Sequence, residues 1–157
     1  MYRKPKKKKD ESFPLLENAG VSVPKKVNYK DRADCWFSKY IRMRDAMANG
    51  YVKCISCGKI VPVKESDNGH YLNRQHMSTR FSEMNCNAQC RSCNRFDEGN
   101  MSGYRRGLVA KYGEEKVQWL ESQKNVSTRY GNFEYEAIIN DCKKKVKELE
   151  KKKGFKI

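Results

Sequence analysis

The sequence predicts a mainly helical α+β fold, with a small zinc-bound core, flanking helices and a long C-terminal helix. Three observations lead there. Cys54-x-x-Cys57 and Cys90-x-x-Cys93 form two cysteine pairs with 32 residues between them. Short strand-like runs and polar turns gather around those pairs, and apolar residues elsewhere recur at helical spacings of three and four.

Residues 1–29 carry Lys6, Lys7, Lys8 and Lys9, several prolines and only scattered apolar side chains, which is the composition of a flexible basic arm. From Asp31 to Asn49 the residues Trp36, Phe37, Tyr40, Ile41, Ala46 and Met47 follow a helical period, and Asn49-Gly50 is a good stop. Residues 51–63 place strand-formers on both sides of a Cys-x-x-Cys-Gly turn, as in a zinc knuckle, and residues 67–72 suit a second short strand. The segment 73–89 reads as irregular. A helix is expected from Cys90 to Glu98, ended by Gly99-Asn100, and two more over 102–112 and 114–123. The last helix, 132–152, carries one apolar stripe through Tyr135, Ile138, Ile139, Cys142, Val146 and Leu149. The chain thus divides into an arm (1–29), a zinc-stabilised core (30–125) and a basic amphipathic helix (126–157).

Hydrophobic residues make up 38% of the chain and charged residues 34%, a thin supply of core that a bound metal would supplement. The formal net charge of +15 favours a polyanion as partner, since each neutralised phosphate releases condensed counterions. No run of about 18 apolar residues is present, so no membrane partner is expected. The basic opening is followed by no apolar stretch, which argues against export and for a cytoplasmic protein. Seven cysteines in such a chain are expected to be reduced.

Zinc takes four thiolates tetrahedrally, and two close pairs supply them from two local turns. With one pair in a glycine-bearing knuckle and the other opening a helix, Cys54, Cys57, Cys90 and Cys93 suit a treble-clef site for structural zinc. Cys86 is a reserve ligand, four residues before Cys90. Cys35 and Cys142 sit on apolar helix faces and read as small buried hydrophobes.

Between the pairs lie Asp67-Asn68-Gly69-His70-Tyr71 and Asn85, with Asn94 directly after Cys93. A histidine on a ribbon before a cysteine-led helix resembles the ββα-metal, or HNH, nuclease core. That resemblance implies His70 as general base, Asn85 as the residue that holds the ribbon and orients it, and Asn94 as a ligand of a catalytic magnesium or manganese. Gly69 stands where those enzymes commonly carry an acid, which leaves Asp67 and Glu98 as further ligand candidates. A longer run is similar to the NinG (Rap) family of lambdoid phages. It comprises Cys54-Ile-Ser-Cys-Gly58, Asp67-Asn-Gly-His-Tyr71, Arg80-Phe-Ser-Glu83, Asn85, Gln89-Cys90, Cys93-Asn94, Gly99-Asn100 and Tyr104-Arg105, and the likeness covers about residues 33–150. It implies a recombination endonuclease that cuts branched DNA such as Holliday junctions, flaps and displaced-strand intermediates. Arg74, Arg80 and Arg105, with the lysines of the arm, become the expected phosphate contacts. Symmetric cutting would need two sites, so a homodimer is expected, with the 132–152 helix as its contact. The alternatives are a non-catalytic, zinc-stabilised module that binds branched DNA by shape, and a sequence-specific HNH enzyme, for which no base-reading element is evident.

Overall fold

The computed structural model describes residues 27–157, so the expected basic arm with Lys6, Lys7, Lys8 and Lys9 lies outside the described residues. The architecture is α+β and mostly helical. Helix α1 (Tyr29–Asp45) opens at Asn28, whose side chain accepts a hydrogen bond from the Asp31 amide. It buries Ala33, Phe37, Tyr40, Ile41 and Met43. The helix stops four residues before the expected end, because Ala46 turns extended and bridges to Val52. Cys35, expected inside, is exposed: it falls about 200° round the helix from Ala33, on the face away from the core.

Strands β1 (Tyr51–Lys53) and β2 (Ile60–Pro62) pair antiparallel around the first cysteine turn, with Val52 opposite Val61. A second ribbon pairs β3 (Ser66–His70) with β4 (Cys86–Cys90), so that Ser66 faces Cys90 and His70 faces Cys86. The stretch expected to be irregular therefore contains a strand, and before it a single helical turn, α2 (Met77–Arg80). Cys-Asn-Ala-Gln-Cys has no β-branched or aromatic residue to announce a strand, yet all five residues are buried, and burial decides. The helix expected from Cys90 does not form either. Cys90 closes β4, and only one wide turn follows at Ser92–Phe96.

Helix α3 (Met101–Tyr112) is capped by the Asn100 side chain, and α4 (Glu114–Ser122) follows after Gly113. The two share a small core of Tyr104, Leu108, Val117 and Leu120. Helix α5 (Asn132–Lys153) lays its stripe on α1. Cys142 and Val146 meet Phe37, Tyr40 and Ile41, while Tyr135 and Ile139 meet Ala33. That stripe is consumed within the chain, so the expected dimer contact through this apolar face is not available. The helix is also tied down at its end: Lys153 Nζ donates to the carbonyls of Met43 (2.6 Å), Arg44 (3.1 Å) and Ala46, capping the last turn of α1. Among the described residues no helix is long and apolar enough to cross a membrane.

The first cysteine turn is seated on α3 at two glycines. A Cβ on Gly103 would stand 2.5 Å from the Ser56 carbonyl, and one on Gly107 would collide with the carbonyl of Ile55. Both obstacles are backbone and cannot rotate away. Gly107→Ala is therefore expected to lower stability in urea unfolding, the backbone clash costing about 1–3 kcal/mol or more against about 1 kcal/mol gained in helix propensity. An unchanged midpoint would show that the turn and α3 separate freely.

Candidate functional site

Four sulfurs converge where the two ribbons meet. Cys54 and Cys57 come from the β1–β2 turn, Cys90 from the end of β4 and Cys93 from the turn after it, with all four Sγ atoms within 4.8 Å of one another. The Cys57–Cys90 separation is 3.8 Å. A tetrahedron with zinc–sulfur bonds of about 2.3 Å has an edge of about 3.8 Å, so spacing and donor type are compatible with zinc. Backbone bonds hold the frame: Ile55 N donates to Ala88 O (3.1 Å), and Gly58 N to Cys54 O (2.9 Å). Burial, together with the neighbouring Cys57 and Cys90 sulfurs, pushes the Cys93 thiol up to about 12, so zinc would have to displace its proton. Four thiolates leave no open position, which suits a stabilising ion rather than a reacting one. Cys86, the reserve ligand, is fully buried against α1 and α5 beside Phe37 and Cys142, on the far side from the cluster.

At the other end of the same ribbon, His70 lines an open cavity of about 540 Å³ with Arg74, Asn94, Glu98 and Met101. Its Nε2 lies 3.2 Å from the Arg80 carbonyl, which can only accept, so Nε2 carries the proton and Nδ1 is bare. Nδ1 accepts a long hydrogen bond from Arg74 Nε (3.5 Å). Burial first, and the Arg74 charge second, lower the imidazole to about 4, so it is neutral at neutral pH.

The Arg80 carbonyl is itself held in place. The Arg80 guanidinium forms a fork with Asp34 of α1 and donates to the Arg74 carbonyl at 2.6 Å. Asn85, wholly buried, accepts from Leu72 N (2.7 Å) and donates to the carbonyls of Leu72 (3.0 Å) and Thr79 (3.1 Å). Asn85 and Arg80 together staple the 71–80 loop beneath the imidazole. Arg80 is only 8% exposed, which corrects its expected place as a phosphate contact. Arg105 is likewise committed, to Glu114 (2.5 Å) and Glu121 (2.9 Å), where Glu121 also accepts from Tyr71 OH (2.6 Å). Of the three expected arginines, only Arg74 is exposed at the cavity rim.

The expected metal ligands separate into two groups. Asn94 and Glu98 both line the His70 cavity, brought together by a turn and not by helical spacing. Asp67 points to the opposite face of β3 from His70. It accepts both arms of Arg95 (2.7 Å each) and the Asn94 amide (3.0 Å). Partial burial works to raise the Asp67 carboxyl, but Arg95 and Asn94 outweigh it and hold it below the usual range. Gly69 leaves no room for an acid: a Cβ there would collide with Gln89 Oε1. The Gly69 carbonyl accepts from Tyr104 OH at 2.9 Å. Gln89, Tyr104, Arg95 and Asp34 were not legible as site residues, since each acts through a partner distant in sequence.

Cys57→Ser is expected to reduce bound zinc from one equivalent to near none by elemental analysis and to lower the thermal midpoint sharply. Full zinc retention would mean that the cluster is not the site.

The family model described as "Bacteriophage Lambda NinG protein" matches residues 3–152. Protein ninG of Escherichia phage lambda is 32% identical over 120 residues, covering 71% of this chain and 58% of that protein. The ninG proteins of Escherichia phage 933W (32%, covering 71% of this chain and 59% of that protein) and Salmonella phage P22 (30%, covering 71% and 58%) match similarly. The chain thus spans under two thirds of the length of these relatives. No solved structure matches. With a family model running from the third residue to the end of α5, and relatives at this identity, the chain belongs to the NinG family.

Proposed function

We propose that the chain is a metal-dependent endonuclease of the ββα-metal (HNH) type on a treble-clef zinc frame, acting on branched DNA. The observation that carries this reading is the His70 imidazole, neutral and protonated on Nε2, with a bare Nδ1 in a cavity shared with Asn94 and Glu98. Nδ1 takes the proton from a water whose oxygen attacks phosphorus, and the bond from phosphorus to the leaving oxygen breaks. Hydrogen bonding to the Arg80 carbonyl fixes the ring's tautomer and steadies the imidazolium that forms. Bound magnesium or manganese would supply positive charge to the phosphate and the leaving oxygen. Asn94 and Glu98 offer the hard oxygens for it, with Asp67 behind Asn94. Arg74, exposed at the rim, is placed to meet a phosphate. Branched DNA as substrate is supported by the excess of basic residues and by the family resemblance. One feature favours the alternative of a non-catalytic branched-DNA-binding module: Asp67 is spent on Arg95.

Cleavage of linear, flapped, three-way and four-way DNA with magnesium or manganese tests the proposal. His70→Ala is expected to lose about 10²–10⁴-fold in rate while retaining zinc and fold. A wild type that cuts none of these with any divalent metal sinks the enzyme reading, and equal binding by both proteins without cutting supports the module. The base works unprotonated, so lowering the pH stops it only on approach to its pKa. Because that is lowered to about 4, the single-turnover rate should hold as the pH is lowered through 6.5, the ordinary histidine value, and fall only on approach to about 4. A break at 6.5 would show that the imidazole is solvated.

A further inference from the structure

Phe96 has 83% of its surface exposed, more than any other large apolar side chain among the described residues. It nevertheless sits in a tightly wired loop. Gly99 N donates to Cys93 O (2.9 Å), and Gln89 Nε2 to Gly99 O (2.5 Å). The Asn100 amide reaches Cys93 Sγ (3.6 Å), and Arg95 is clamped to Asp67. Glu98, Gly99 and Asn100 are held in succession at φ of 43°, 87° and 42°. Non-glycine residues adopt that conformation only where their surroundings impose it, so the loop's shape is specified and not slack. The consequence is a phenyl ring carried on a specified backbone and presented to water.

Its position gives the ring a use. Asn94 and Glu98, two residues to either side, both line the His70 cavity, so the loop that carries Phe96 forms part of that cavity's wall. Met101, 42% exposed, lines the same cavity. Arg74 lines the cavity, and Arg91 and Arg95 lie close to Phe96 along the chain; all three are exposed. An exposed aromatic ring accompanied by exposed guanidinium groups suits an anionic partner that carries flat rings, which is a nucleic acid strand with an accessible base. In continuous duplex every base already has stacked neighbours. A branch point leaves a base with an open face.

We propose that Phe96 is a stacking wedge that receives an unpaired base at a DNA branch, setting the adjoining phosphate over His70. The inference rests on reading the cavity as a DNA phosphate site, but not on cleavage. Stacking is indifferent to base identity, so the wedge selects for an opened structure and not for a sequence.

The test is binding by the zinc-loaded full chain in a His70→Ala background. It compares a three-way junction carrying 2-aminopurine at the branch with a linear duplex of equal length. Adding Phe96→Ala is expected to weaken junction binding about tenfold while leaving duplex binding unchanged, and Phe96→Trp to restore it. The 2-aminopurine emission should be quenched by the parent and recover with Phe96→Ala. Equal losses on both DNAs, no loss on either, or a change only in oligomeric state by light scattering would overturn the wedge. A wild type that fails to cut but still discriminates in this way would overturn the nuclease reading and leave the wedge standing.

Discussion

Strands β3 and β4 pair over five residues in a register that sets Ser66 against Cys90 and His70 against Cys86. One short ladder therefore carries a thiol of the four-cysteine cluster at one end and an imidazole at the other. A slip of one residue would turn every side chain of the ribbon to its other face, sending His70 away from the cavity and burying Asp67. The register is protected from both sides. The Asp45 carboxylate at the end of α1 accepts the Ala88 amide (2.8 Å), and Tyr104 of α3 donates to the Gly69 carbonyl. The four-cysteine cluster then closes the ribbon's open end.

Around this ladder the interior is unusually polar. Arg80, Asn85, Asn87 and Gln89 are all buried, and each spends its side chain on a backbone carbonyl or a partner across the fold. Buried polar groups of this kind add little net stability when satisfied, but they tolerate few alternative arrangements. That property suits a site where one carbonyl must point at one ring nitrogen. Arg80 combines both effects: its charge is neutralised by Asp34, and its own carbonyl orients His70. The thin apolar core is divided among small clusters, and the C-terminal helix completes two of them by covering α1.

The charge of the chain also acquires structure. Basic residues read as DNA contacts fall into two classes once the fold is known. Arg80 and Arg105 are paired with carboxylates, whereas Arg74 lines the cavity and remains in water. The net positive field is a property of composition, but which cation meets a ligand is decided by which carboxylates the fold brings near it.

Much was legible before the fold. The cysteine pairs announced their cluster because metal coordination demands residue types at close local spacing. Helices α1, α3, α4 and α5 announced themselves through period and stop signals, and His70, Asn94 and Glu98 meet at one cavity, though by a turn and not by the expected helix. The rest depended on contacts that sequence separation conceals. The strand Cys86–Cys90 carries no strand propensity and forms because it is buried on both faces. The helix after Cys90 is replaced by a turn because Cys90 is held in that strand. The acid missing at position 69 is explained by Gln89, twenty residues on, filling the space above Gly69. Local chemistry singled out the candidate site residues, and only the tertiary structure decided which arginines were free, which carboxylates were spent and which carbonyl the histidine meets. Those outcomes depend on distance in space, and no local pattern in the chain records it.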